Sequence, residues 1–310
     1  LEMIKILITG SNGQVGAELI RIIRSSIDAE ILCTDITQRT VEGDGISFEY
    51  LDVKSRELTE KIFEKFKPDQ GYHLASILSA SGEKDPYLAY SVNLTGTVNV
   101  LNACVKYNVD RVFVPSTIGV FGPDAPKENA PVRHSSIPTT MYGITKAAAE
   151  MLFQYYFNKY GLDVRSLRYP GLISYRVPPT AGTTDYAVDM IRHAAKNAPY
   201  ICYLKKDTPL PMMYMQDAME ATIKYMHADS KNLTIRTAYN VMSYTLTPEM
   251  LYNSIKKFKP NFEVDYNPDF RQQIAESWPY SLDISDSKRD WGFSFRYDID
   301  KTVEDMLANL

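Results

Sequence analysis

Cysteine is scarce in this chain: there are three among 310 residues, Cys33, Cys104 and Cys202, none in C-x-x-C spacing and all in apolar surroundings. That set suggests neither a disulfide framework nor a zinc site, so no metal is expected and the compartment is read as reducing. A surplus of positive charge is missing too. With 34 Lys and Arg against 38 Asp and Glu the net charge is −4, and the pI is near 5.7. Phosphate backbones are held by a basic face, so a general nucleic-acid binder is excluded and a small molecule is the expected partner. No apolar run approaches the roughly 18 residues of a membrane span, and no secretory signal is visible, so no membrane partner is expected and the location is read as cytoplasmic. Leu1-Glu2 ahead of Met3 look like residues added in cloning, and a presequence removed there would leave a mitochondrial location open.

What is present begins with a short β-rich run, Ile4-Lys5-Ile6-Leu7-Ile8-Thr9, which ends at Gly10-Ser11-Asn12-Gly13-Gln14-Val15-Gly16 and passes into a helical pattern over residues 17–25. This is strand, glycine turn, helix. Glycines at 10, 13 and 16 let the chain turn tightly and let backbone approach a pyrophosphate, while the helix N-terminus offers unpaired N–H groups to the anion. A second strand over 30–34 delivers Asp35, 19 residues past Gly16, where an acid meets a ribose 2′-hydroxyl. A carboxylate there repels a 2′-phosphate, so NAD is expected over NADP, with nearby Arg39 as the counterweight.

Further along, Phe48-Glu49-Tyr50-Leu51 reads as a third strand leading to Asp52-Val53, residues 58–66 as a helix, and Gly71-Tyr72-His73-Leu74-Ala75 as the end of a fourth strand. An imidazole in an apolar strand is more often a satisfied core histidine than a catalyst, and His73 is read that way. Leu78-Ser79-Ala80-Ser81-Gly82 is a polar loop after a strand, where open α/β sheets bind ligands. Residues 86–107 hold helical periodicity around Asn93 and Asn102, and Arg111-Val112-Phe113-Val114-Pro115 is another strand, ending in Ser116-Thr117 at the same sheet edge. The alternation implies an α/β, Rossmann-type doubly wound parallel sheet with a smaller C-terminal lobe. Residues 1–170 are assigned to NAD binding and 171–310 mainly to the substrate lobe, with about 235–245 returning to the sheet.

Met141-Tyr142-Gly143-Ile144-Thr145-Lys146-Ala147-Ala148-Ala149-Glu150 is a good helix-forming run with a tyrosine and a lysine four apart, hence on one face. A phenol with a pKa of about 10 is a poor base at neutral pH, but a nearby ammonium stabilises its phenolate. Tyr142 could then take a proton from an alcohol.

Taken together, Gly10/Gly13/Gly16, Asp35, Asp52-Val53, His73-Leu74-Ala75, Asn93 with Gly96-Thr97, Ser116-Thr117 before Val120-Phe121-Gly122, and Tyr142-x-x-x-Lys146 resemble the extended, epimerase-like short-chain dehydrogenases/reductases over nearly the whole chain. The resemblance implies a catalytic set of Thr117, Tyr142 and Lys146. It also implies cofactor contacts from Asn12, Gln14, Val15, Asp52, Val53, Leu74, Ala75, Asn93, Tyr169 and Pro170 beside the glycines and Asp35.

Sugar-nucleotide enzymes of that superfamily carry an Arg-x-x-Asn-x-Tyr-Gly-Pro-like run, from which Arg165-Ser166-Leu167-Arg168-Tyr169-Pro170-Gly171 departs. Instead Arg168-Tyr169-Pro170-Gly171, Ala181-Gly182-Thr183-Thr184-Asp185-Tyr186-Ala187-Val188, Pro211-Met212-Met213-Tyr214-Met215, and Ser277-Trp278-Pro279 followed by Asp290-Trp291-Gly292 resemble the L-threonine 3-dehydrogenases. The resemblance implies NAD-dependent oxidation of L-threonine, substrate contacts from Ser79, Thr117, Tyr142, Thr184 and Trp278, and a homodimer paired through the Tyr-Lys helix and its neighbour. Met212, Met213 and Met215 are read as core packing. A sugar-nucleotide epimerase or dehydratase and a non-catalytic NAD-binding regulator are the alternatives.

Overall fold

Strand β1 (Ile4–Thr9) is apolar on both sides: Ile6 and Ile8 enter one cluster and Leu7 another, each essentially without exposure. A strand of that kind belongs in the middle of a parallel sheet covered on both faces, and each such side chain contributes about 1.5–3 kcal/mol relative to its exposed state. The computed structural model, which describes residues 3–38, 43–134, 137–176, 178–179 and 182–310, places β1 there. After it come β2 (Ala29–Asp35), β3 (Ile46–Tyr50), β4 (Gln70–His73), β5 (Arg111–Phe113), β6 (Ser116–Thr117), β7 (Asp163–Arg165) and β8 (Leu167–Tyr169). The main sheet runs β3-β2-β1-β4-β5-β7 with every pair parallel. The ladder continues as β6-β8 and Tyr239–Asn240, again parallel.

This is the doubly wound Rossmann order, and the direction of strand addition reverses between β1 and β4, which opens a crevice at the carboxyl ends of the strands. Helix Gln14–Ser26 covers one face together with Met215–His227, through Leu19, Ile22 and Ile23 against Met219, Tyr225 and Met226. Helices Arg56–Phe66, Thr97–Lys106 and Met141–Tyr160 cover the other. A further cluster joins helices Tyr186–Ala195, Pro248–Phe258 and Ile299–Asn309 to strands Gly171–Ile173, Leu210–Tyr214 and Tyr244–Leu246. Met212, Met213 and Met215 are buried in these cores, as their reading as packing residues requires.

Two local expectations give way. Residues 78–82 are not a loop: Ser79–Lys84 is a short helix whose small Ser79, Ala80 and Gly82 are buried, and Gly82 lies where a Cβ would touch the Tyr142 side chain. Nor is 86–107 one regular helix. It runs as α-helix over Pro86–Tyr90, as a π turn over Ser91–Gly96 and as α-helix again over Thr97–Lys106. The wide turn contains Asn93, whose buried amide is spent on holding neighbouring segments, the kind of local demand that π turns serve.

Candidate active site

The helix that carries Tyr142 starts at Thr140, whose hydroxyl accepts from the Gly143 N–H at 3.1 Å. It lies so close to the turn after β6 that a Cβ on Gly143 would stand 2.1 Å from the Gly119 carbonyl oxygen. Glycine at 143 is therefore a condition for bringing Tyr142 against Thr117. Thr117 is buried at the end of β6, its hydroxyl accepts from the Gly119 N–H at 3.1 Å, and Gly119 packs against both its methyl and the Tyr142 ring: a Cβ there would stand 3.4 Å from the one and 3.3 Å from the other.

Lys146 stands one turn along the same face, with Nζ 5.9 Å from the Tyr142 ring centroid and donating to the Pro115 carbonyl at 3.0 Å. Burial pushes the Tyr142 phenol up to about 12, against the opposing pull of Thr117, and pushes the Lys146 ammonium down to about 8. The expectation that the lysine lowers the phenol's pKa is thus not met by the protein alone, because desolvation penalises the charged form of each group.

These three residues line a cleft of about 400 Å³ at the carboxyl ends of β1, β4, β6 and β8. Of the residues assigned to the cofactor, Gly10, Gly13, Gln14, Val15 and Gly16 form one wall, and Leu74, Tyr169 and Pro170 another. Ser79, Thr184 and Trp278 line the same space. Asn12, Asp35, Asp52, Val53, Ala75 and Asn93 do not line it. Asp35 ends β2 beside the glycine turn and accepts from the Asn12 N–H at 3.1 Å. Asp52 pairs with Lys54, and Val53 packs against Gly96. Asn93 is 1% exposed and engages Ile77, Ser76 and Thr145, so it braces the loop after β4 against the Tyr142 helix. Arg39 lies outside the described residues.

His73 bridges the hydroxyls of Thr9 (2.6 Å) and Thr97 (3.2 Å), and burial drives its pKa down to about 3. It is a satisfied core histidine, as read. Ser81, in the stretch expected to meet a ligand, also lines the cleft; sequence reasoning missed Ser76, Thr183 and Asp185, which line it too, and the buried pair of Glu150 and Arg168 beneath it. The threonine-rich turn before Tyr186 was a visible signal for Thr183 and Asp185.

The glycine turn fits a dinucleotide. Gly10 has φ +67°, and a Cβ there would sit 2.5 Å from the Ala75 nitrogen. Gly13 meets only one atom that closely, the Gly10 carbonyl oxygen at 3.5 Å, and as N-cap of Gln14–Ser26 it leaves the helix's first N–H groups without a side-chain cap. Buried Ser11 Oγ, a hydroxyl that can donate, has no hydrogen-bond partner among the described residues. Unpaired donors at a helix N-terminus are what a pyrophosphate needs.

A doubly wound sheet with this cradle at its switch point, faced by a Tyr-Lys helix, defines an NAD-dependent oxidoreductase of the short-chain dehydrogenase/reductase kind. Residues 6–241 match the NAD dependent epimerase/dehydratase family, and the chain belongs to that family. It is 43% identical over 310 residues, 98% of this chain and 96% of the relative, to an uncharacterized epimerase/dehydratase of Staphylococcus saprophyticus. Among solved structures it is similar to the holo form of the GalE-like L-threonine dehydrogenase from Cupriavidus necator, with 42% identity, TM-score 0.95, and coverage of 98% of this chain and 99% of that one. It is also similar to a monomeric L-threonine 3-dehydrogenase from a metagenome, with 42% identity, TM-score 0.94 and 98% of each chain covered. Among the described residues no helix is long and apolar enough to cross a membrane, and no cluster of side chains could hold a metal ion.

Proposed function

We propose that this chain oxidises the 3-hydroxyl of L-threonine with NAD, giving 2-amino-3-oxobutanoate and NADH. The observation that carries the reading is the convergence of Tyr142, Thr117 and Lys146 on one cleft, the Tyr142 ring and Thr117 both packed at Gly119, which Ser79, Thr184 and Trp278 also line. The likeness to solved threonine dehydrogenases supports the choice of substrate.

Bound NAD supplies the hydride acceptor and a positive ring charge that favours phenolate. The turn at Gly13–Gly16 would hold its pyrophosphate, Asp35 its adenosine ribose and Lys146 its nicotinamide ribose. Thr117 orients the substrate alcohol towards Tyr142. Tyr142 as phenolate takes the hydroxyl proton while the C3–H bond breaks and a C3 carbonyl forms, so proton and hydride leave together. Trp278, 5% exposed, and Thr184 and Ser79 confine a small zwitterion and keep water out. In this division of labour residues 1–170 bind NAD and 171–310 mainly hold the substrate, with Tyr239–Asn240 returning to pair with β8.

Incubation with NAD and L-threonine, watching NADH absorbance, tests the reading. NADH should form with threonine and not with UDP-sugars; conversion of a UDP-sugar without threonine oxidation would favour the epimerase alternative that the relatives' names carry.

Pairing of two copies through the Tyr142 helix belongs to the same proposal. Its outer face leaves Ile144, Met151 and Tyr155 between 46% and 66% exposed, and the neighbouring Pro86–Tyr90 helix adds Tyr87 at 79%. Sedimentation should give twice the chain mass, and a monomer at micromolar concentration, as in the metagenomic protein's description, would contradict it.

A further inference from the structure

Beneath the cleft lies a buried ionic cluster that the reaction as written does not use. Glu150 is two turns beyond Tyr142 on the same helix face and is 5% exposed. Its Oε1 accepts from Ser116 Oγ and from Arg168 Nε (2.8 Å), and its Oε2 from Arg168 Nη2 (2.6 Å). Arg168 Nη1 donates to the Val132 carbonyl (2.9 Å) and to Asn240 Oδ1 (3.3 Å). One guanidinium therefore ties the Tyr142 helix to β8, to the chain at Val132 and to the strand at Tyr239–Asn240. Ser116 is the residue before Thr117, and β6 pairs with β8 so that Ser116 faces Arg168 and Thr117 faces Tyr169.

A buried ion pair is a poor source of stability, because desolvation offsets most of the attraction. A bidentate fork is instead a source of geometry. The Glu150 carboxylate receives the strand that carries Thr117 and belongs to the helix that carries Tyr142. We propose that Glu150, oriented by Arg168, is a positioning residue: through Ser116 it fixes the spacing between the Thr117 hydroxyl and the Tyr142 phenol. The inference rests on the reading of Tyr142 as the base.

Three variants test it. Ser116→Ala removes the link to the strand and leaves the ion pair whole, and because Ser116 also lines the cleft the variant's NAD affinity is measured alongside, whereas Glu150→Gln and Arg168→Lys disturb the fork itself. The readout is the pH at which Tyr142 ionises in the NAD-loaded enzyme, taken from tyrosinate absorbance after subtracting Tyr142→Phe. Thr117 favours the phenolate. The other ionisable groups lining the cleft are Lys146, Tyr169 and Asp185, Glu83 caps the Tyr142 helix at Met141, and all are kept in these variants.

With Ser116→Ala the ionisation should move up by about half to one pH unit, kcat/KM should fall roughly three- to tenfold as one hydrogen bond's worth of orientation is lost, and NAD affinity should stay within about twofold. Arg168→Lys, which keeps both charges, should move it further in the same direction; Glu150→Gln also removes a negative charge, which by itself favours phenolate, so its shift is read against that of Arg168→Lys. An unmoved ionisation in Ser116→Ala, or a loss of folded fraction and NAD affinity with ionisation unmoved in the fork variants, overturns the proposal. Turnover by the parent enzyme reports separately on the substrate: a shifted ionisation with no threonine oxidation by the parent would sink the threonine reading and support the positioning role.

Discussion

Replacing Lys146 by Met removes a charge and keeps an apolar side chain of similar length, which isolates what the ammonium does for Tyr142. On the proposed mechanism the deprotonated phenol is the working form, so activity in the threonine-oxidising direction should rise with pH through the Tyr142 pKa. The protein alone sets that pKa high, near 12, by burial. The ammonium lies 5.9 Å from the ring centroid. At an effective dielectric constant of about 20, a unit charge at that distance favours phenolate by about 3 kcal/mol, equivalent to about 2 pH units; under full water-like screening the figure is about 0.5 unit. Burial brings Lys146 itself down to about 8, so the ammonium acts where the charge of bound NAD draws the Tyr142 ionisation below that pH; there, losing it disfavours phenolate, and the rising limb of kcat/KM against pH should move upward by between about 0.5 and 2 units at saturating NAD. Cofactor affinity should weaken as well, through the lost ribose contact. The assay is the paired pH profile of parent and variant. A rising limb at the same pH in both would refute electrostatic tuning and leave Lys146 a cofactor-positioning role only.

Tyr142→Phe keeps the ring's packing and removes the base: NAD should bind as before by fluorescence titration while kcat falls about 10²–10⁴-fold. Asp35→Ala should weaken NAD binding and make NADP less unfavourable, measured as the ratio of the two dissociation constants. Gly143→Ala places a methyl 2.1 Å from the Gly119 carbonyl oxygen, which only a shift of the helix can relieve. A loss of about 1–3 kcal/mol in urea unfolding is expected, with a larger proportional loss of turnover than of NAD affinity.

The sheet was legible because each of its signals is local. A glycine turn between an apolar strand and a helix needs no distant partner to be recognised, and neither does apolar alternation of strands and helices at Ile4–Thr9, Ala29–Asp35 and Arg111–Phe113. Tyr142 and Lys146 were visible for the same reason, since four residues on a helix settle that they share a face. What escaped depends on contacts between remote segments. Glu150 stands in the sequence only as the end of a helix-forming run and Arg168, 18 positions on, only in the Arg168-Tyr169-Pro170-Gly171 block, and nothing joins them until the register of β6 on β8 brings Ser116 into line with both. The sign of the Tyr142 shift was missed likewise: spacing reveals a neighbouring charge but not the depth of burial. Asn93 looked like a cofactor contact from its neighbours in sequence, yet a π turn points its amide at Ile77 and Thr145.

The central claim is that hydride leaves C3 of threonine in this cleft. L-threonine deuterated at C3, incubated with the protein and NAD, should give reduced cofactor one mass unit heavier, the deuterium at nicotinamide C4, and the label should vanish from the product with Tyr142→Phe slowing its appearance. Reduced cofactor without deuterium, or no reduction at all while a UDP-sugar is turned over, would contradict the account.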